Sequence, residues 1–395
     1  MATVHLRHNR AKPFFFGHPW VFSGSVGRVE GTPADGDVVT VVDDRGHFVA
    51  RGFYNRRSQI RVRLLTWDEE EELGRGFFER RLRAAVALRH ELLGLPADTE
   101  AYRLVYSEGD GLPGLIVDRY AGWLVVQFLS LGLALRRDMV VEALARACPE
   151  LAIFERSDTD VAALEGIEPR VGTLWGAEPP ETLVVTIHGV RFEVDIRGGQ
   201  KTGLFLDHRD NYRAVLPYAR GRRVLDAFCH SGGFGLFAAV RGNASEVVAI
   251  DMSEGALALA RRNAELNGAT GFTFAQGNVF GELRRLRAEE QRFGMIVLDP
   301  PKFARSARDV EKASRGYKDI NLVAMQVLEP GGILVSCSCS QHVDEAAFTA
   351  ILNDAATDVG RDVQILERRG QAADHPVAAS CPESRYLKCF ISRVL

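Results

Sequence analysis

From about residue 198 onward, strand-like runs, glycine-rich turns and helix-like runs follow one another in alternation: RRVLDAF, GGFGLFAAV, EVVAIDM, SEGALALARRNAELNG, GMIVLDPP and GILVSCS. Alternating β and α units of this length imply a parallel, doubly wound sheet. At 395 residues the chain is longer than one such domain. Two other patterns precede it. Short β-like runs (VVTVVDD, HFVARGFY, IRVRLLTW) punctuated by glycine turns read as a small barrel ending near Trp67. The acidic run 68–72 then leads into FFERRLRAAVALRHELLG, where Phe78, Leu82, Ala85, Val86 and Leu93 keep helical spacing until Gly94 and Pro96. Between about 103 and 195, strand-like runs surround one helix-like segment, RRDMVVEALARA, which suggests an α+β domain. The expected domains are therefore 1–67, 68–197 and 198–395.

No stretch reaches the roughly 18 uninterrupted apolar residues of a membrane helix, and six cysteines form no dense disulfide framework. With no apolar signal region near the N-terminus, the expectation is a cytoplasmic protein with reduced thiols and no membrane partner. There is no Cys-x-x-Cys pair, so no metal site is expected. The net charge of −3 is uneven: residues 1–66 carry ten basic against five acidic residues. Segment 51–63 holds Arg51, Arg56, Arg57, Arg61 and Arg63 with no acid, interleaved with Phe53 and Tyr54. Such a mixture contacts phosphates and stacks on bases; otherwise it is a solvated edge strand. Any nucleic-acid binding must come from a local patch of this kind.

The strand VLDAF runs into Cys229-His230-Ser231-Gly232-Gly233-Phe234-Gly235 and then a helix. A glycine turn and a helix start thus meet at the carboxyl end of a strand, where open α/β sheets bind ligands. The loop does not match G-x-G-x-x-G, which weakens a pyrophosphate reading. The first strand carries Asp226 and the second ends at Asp251, where a carboxylate can accept from both ribose hydroxyls of a nucleoside. Ser253 is the expected N-cap of the following helix. This segment resembles a class I S-adenosylmethionine-dependent methyltransferase.

The resemblance spreads over nearly the whole chain. QKTGLFLDHRDN (200–211), LDPPKF (298–303), SRGYKDIN (314–321), SCSCS (336–340), SEGDGLPGLIVDRY (107–120) and the C-terminal QAADHPV and YLKCF are similar to the bacterial large-subunit ribosomal RNA cytosine-C5 methyltransferase I family. It implies a Rossmann-like methyltransferase domain behind an N-terminal PUA-like RNA-binding barrel and a central α+β domain. It also implies S-adenosylmethionine as cofactor and large-subunit ribosomal RNA as partner, and it leaves a homodimer open. The implied cofactor residues are Phe205, Asp207, Arg209, Asp226, Phe228, His230, Ser231, Gly232, Gly233, Asp251, Met252, Asn278, Val279 and Asp299. Asn278 departs from the Asp that many such enzymes place there for the adenine amino group; its amide oxygen can still accept one hydrogen bond. Arg51, Arg56, Arg57 and Arg61 become the expected RNA contacts.

Carbon 5 of cytosine is a poor nucleophile, and a thiolate adding at carbon 6 activates it as an enamine. Such a site needs a reactive cysteine near a carboxyl that holds the pyrimidine edge. Asp299 supplies the carboxyl, and Cys337 or Cys339 the thiol. Two residues apart, the cysteines would face the same side of an extended strand, so spacing alone does not choose. By resemblance, the nucleophile lies in Ser-Cys-Ser about eight residues after a Gly-Gly pair, nearer Cys339 than Cys337. Lys302 replaces the aromatic that methyltransferases of exocyclic amines place after Asp-Pro-Pro, and is a candidate contact to phosphate or base. The alternatives are a guanine ring-nitrogen methyltransferase, which needs no thiol, and a non-catalytic RNA-binding assembly factor.

Overall fold

The computed structural model describes residues 2–199, 201–304 and 306–395. Gln200, which opens the QKTG motif, lies outside them. The chain packs as two compact units. One comprises Met1–Val185, Val194–Leu204 and Ala373–Ser384, and the other Thr186–Glu193, Phe205–Ala372 and Arg385–Leu395. Among the described residues no helix is long and apolar enough to cross a membrane.

In the first unit, six strands form one mixed sheet in the order Trp20–Phe22, Ile60–Thr66, Phe48–Tyr54, Val38–Val42, Ala2–Leu6, Val26–Glu30. Val4, Leu6, Val39, Val41, Val62 and Leu64 alternate inward to make its core. A second sheet runs Val171–Trp175, Ala152–Arg156, Trp123–Phe128, Leu115–Tyr120, Ala101–Tyr106. Helices Arg75–Ala87 and Arg137–Ala147 pack together, burying Phe78, Leu82 and Ala85 as the periodicity predicts. The acidic run at 68–72 is not helical; the helix starts after Gly74. Beyond Ala87 the chain makes a π turn, Leu88–Leu92, in which Arg89 is fully buried against Asp110 at 2.6 Å and the Asp374 carbonyl at 2.6 Å. The motifs around Asp110 and Asp374 thus join one buried ionic network.

The second unit holds a seven-stranded sheet in the order Phe272–Gln276, Glu246–Asp251, Arg223–Ala227, Phe293–Leu298, Leu328–Ser338, Lys388–Val394, Val363–Arg369. The first five strands are parallel, as the alternation implies. One strand the alternation does not announce, Lys388–Val394, runs antiparallel to both its neighbours. The Val363–Arg369 strand keeps the parallel sense through the Glu345–Val359 crossover helix, which leaves a gap. The chain's last strand fills that gap after a connection with no α-helix, in the antiparallel sense, which needs no crossover helix. Its register sets Cys337 opposite Cys389 and Ser338 opposite Lys388.

Candidate active site

Everything expected of the cofactor site after residue 204 lies in the second unit, at the carboxyl ends of the parallel strands. Past Ala227 the backbone takes left-handed conformations at Phe228 (φ 63°), His230 (φ 47°) and Gly232 (φ 84°). Two of these residues are not glycine, and such strain costs about 1–3 kcal/mol each and persists only where the surroundings hold it. Here they do. The Cys229 N–H donates to the Ile250 carbonyl at 3.0 Å and the His230 N–H to Asp251 Oδ2 at 2.9 Å. Asn263 donates to the Ser231 carbonyl at 3.1 Å, and Asp226 Oδ2 accepts from the Gly235 N–H at 2.8 Å. A side chain at Gly233 could not fit, because its Cβ would lie 2.5 Å from the Tyr212 ring.

The two strand-end acids therefore differ. Asp226 is buried; burial pushes its pKa up, against the Gly235 hydrogen bond and with the charges of Asp299 and Asp251, to about 7. It anchors the loop. Asp251 is half-buried and uses each oxygen once, for the His230 and Ser253 amides, leaving a further lone pair on each. Ser253 caps the next helix through the Ala256 N–H at 3.2 Å, as expected. Met252 beside it is 71% exposed. Asn278 spends its amide oxygen on its own helix, accepting from the Phe280 N–H at 3.0 Å; Val279 is buried.

Phe205 sets its ring edge-on to His230 at 4.9 Å. Asp207 is buried and accepts from the Tyr386 hydroxyl at 2.5 Å, while Arg209, also buried, lies 3.3 Å from Asp210. Between them His208, inside the 205–209 segment expected at the cofactor site, places Nε2 3.3 Å from Asp299 Oδ1, a pairing that its motif does not announce.

The Asp299 and Ser-Cys-Ser segments meet at adjoining strand ends. Ser340 Oγ accepts from the Ala304 N–H at 3.1 Å and bonds the Tyr317 hydroxyl at 2.9 Å. Ser336 donates to Asn321 Oδ1 at 2.7 Å, so the serines tie the cysteine strand to the SRGYKDIN helix. The cysteines do not share an environment. Cys337 lies within the strand at 0% exposure, its thiol pushed well above its ordinary pKa by burial. The strand ends at Ser338, and Cys339 emerges partly exposed just past it. Cys337 Sγ, a His208 ring nitrogen and an Asp299 oxygen lie within 4.8 Å of one another, a donor set that could hold a metal ion. Lys302 is exposed.

The arginine patch is smaller than its sequence suggests. Arg56 and Arg57 are exposed, with Arg56 Nε 3.4 Å from Asp35. Arg61 is half-buried, donating to the Arg56 carbonyl, and Arg51 donates to the Glu71 carbonyl at 3.2 Å. Arg63 is buried on Glu165 at 2.8 Å. Phe53 and Tyr54 are buried too, so neither can stack on a base, contrary to expectation. The alternation of the strand turns Phe53 into the apolar core, where the Arg136 guanidinium covers its ring at 4.3 Å.

Residues 4–67 match the model of a PUA-like domain, and residues 167–381 that of an S-adenosylmethionine-dependent methyltransferase. The chain is 46% identical to "Ribosomal RNA large subunit methyltransferase I" of Aeromonas hydrophila, over 99% of both chains. It is equally identical to the protein so named in Photobacterium profundum, over 98% of both. Its fold is like that of a protein from Streptococcus mutans described as a SAM-dependent methyltransferase (TM-score 0.85, 20% identity, all of both chains). A methyltransferase solved with SAH is similarly close (TM-score 0.86, 20% identity, all of both chains).

Proposed function

The chain belongs to the ribosomal RNA large subunit methyltransferase I family of S-adenosylmethionine-dependent enzymes, and within it we propose that this protein forms 5-methylcytosine in large-subunit ribosomal RNA through a covalent Cys339–C6 intermediate. One observation carries the proposal: a partly exposed thiol, Cys339, just past a strand end whose loop is pinned by Ser340 to the Asp299 loop. A methyltransferase acting on a ring nitrogen has no use for that thiol.

The site fits S-adenosylmethionine. Asp251 keeps lone pairs for ribose hydroxyls, and the proposal assigns Met252, Asn278 and Val279 to the adenine side. The proposed cofactor set adds Phe205, Phe228, His230, Ser231, Gly232 and Gly233 around the left-handed loop, Asp226, which anchors the helix start behind it, and Asp207, Arg209 and Asp299. When bound, the cofactor supplies an electrophilic methyl group. The protein does the rest. The Cys339 thiolate adds to C6 of the pyrimidine, and the electron pair displaced from the C5–C6 double bond makes C5 nucleophilic. Asp299 holds the pyrimidine edge, and the exposed Lys302 contacts phosphate or base. C5 takes the methyl group, a base then accepts the C5 proton, and the C–H electron pair restores the C5–C6 double bond as the S–C6 bond breaks and the thiolate leaves.

In this scheme residues 1–67 bind RNA through Arg56, Arg57 and Arg61, with Arg51 behind them; residues 198–395 carry the chemistry, and 68–197 form the domain between, in a cytoplasmic enzyme. The test is nucleoside mass spectrometry of ribosomal RNA incubated with the protein and methyl-labelled cofactor. Label in 5-methylcytidine is expected. Label in a methylguanosine, or none with a folded, cofactor-binding protein, would overturn the proposal.

A further inference from the structure

Lys388 opens the last strand of the sheet, directly opposite Ser338. Its side chain turns toward the strand end rather than to solvent, and the residue is only 5% exposed. There Nζ donates to the Ser340 carbonyl at 2.7 Å and to the Tyr386 carbonyl at 2.9 Å. An ammonium has three N–H donors, and these carbonyls take two. Cys339 is the residue between Ser338, which Lys388 faces, and Ser340, which it grips.

A buried lysine is normally paired with a carboxylate, because an isolated charge is costly away from water. Among the described residues Lys388 makes no ion pair with an Asp or Glu. The charged groups that bear on it are Cys339 on the strand-end turn, Asp344 at the start of the next helix, and Arg385 and Lys302, which oppose its charge. Burial lowers the Lys388 pKa to about 8, and a negative charge on Cys339 is the strongest influence in the other direction.

We propose that Lys388 is the counter-ion of the Cys339 thiolate, a positioning residue that holds the nucleophile ionised and aimed from the strand end. This rests on Cys339 being the nucleophile. When the thiol ionises, the Sγ–H bond breaks, the proton leaves to water and the electron pair stays on sulfur to form the S–C6 bond. The ammonium keeps all three protons throughout.

The test uses the full-length protein with Lys388→Met and Lys388→Arg. Carbamidomethylation of Cys339 by iodoacetamide, followed by peptide mass mapping across pH, reads the thiolate population. Lys388→Met should raise the midpoint of that profile and slow alkylation about tenfold at pH 7, because the thiolate is the reactive form. Its kcat should fall in step, with cofactor affinity by calorimetry retained. Lys388→Arg should restore the wild-type midpoint and carry turnover to higher pH than wild type, whose activity should decline as Lys388 loses its proton near pH 8. A merely structural lysine would change thermal stability and leave the Cys339 profile in place. An unshifted profile in folded Lys388→Met would overturn the proposal. Should that variant not fold, a falling pH limb in Lys388→Arg that coincides with wild type would do so. Failure of the nucleophile reading shows separately, as the absence of a Cys339 adduct with 5-fluorocytosine RNA in the wild-type enzyme.

Discussion

His208 Nε2 lies 3.3 Å from Asp299 Oδ1, at the point where the buried loop before the first strand meets the Asp-Pro-Pro turn. Asn211 accepts from Arg369 Nε at 3.0 Å through its amide oxygen and sets its amide nitrogen 3.2 Å from His208 Nδ1, which leaves Nε2 facing Asp299. Burial opposes a second proton on the ring, but the Asp299 carboxylate outweighs it and raises the pKa to about 9. The pair fixes the direction of the Asp299 carboxylate.

The sign of its pH dependence follows. A histidine whose folded pKa is raised from 6.5 to about 9 stabilises fully below pH 6.5, and that contribution is lost as pH rises through about 9. Thermal unfolding should show wild type losing stability relative to His208→Gln across that window. Parallel curves would show that the ring is not charged in the folded protein.

Asp251→Ala should weaken S-adenosylmethionine binding by about tenfold or more, since hydrogen bonds to a charged group are worth roughly 1.5–3 kcal/mol. Unchanged affinity in calorimetry would remove Asp251 from the site.

Asp226 makes the opposite case. Its pKa is raised from 3.8 to about 7, so the folded state holds a proton that the unfolded chain has released, and stability falls as pH rises through that window. Asp226→Asn keeps an oxygen for the Gly235 N–H and does not titrate. Its melting temperature should gain on wild type steadily from pH 4 to pH 7, with cofactor affinity within a few-fold. A variant that loses affinity as Asp251→Ala does would place Asp226 in contact with the cofactor.

Neutralising Arg56, Arg57 and Arg61 together should weaken RNA binding and flatten its salt dependence. A slope equal to wild type would mark these residues as solvated surface only.

The alternation of strands and helices after residue 198 was enough to announce the parallel core, because each period reports directly which face is buried. The strand Lys388–Val394 was not legible in the same way. Its antiparallel place depends on a gap left by other strands, which no local pattern encodes. The same limit applies to single residues. Asp251 and Cys339 stood out because their residue types sit at strand ends. His208 and Lys388 lie inside quoted motifs, yet their relations to Asp299 and Ser340 span 91 and 48 positions of chain. Phe53 shows the converse: its basic neighbours suggested a stacking surface, and strand alternation sent it into the core.

The central claim is that Cys339 attacks the base, and RNA carrying 5-fluorocytosine tests it most directly. Fluorine replaces the proton that must leave, so the intermediate cannot eliminate and a covalent complex should accumulate in the presence of S-adenosylmethionine. Peptide mapping should place the link at Cys339, with Cys339→Ala binding cofactor yet forming no adduct and Cys337→Ala still forming one. An adduct on Cys337, or cytosine-C5 methylation by a protein lacking both thiols, would contradict the account.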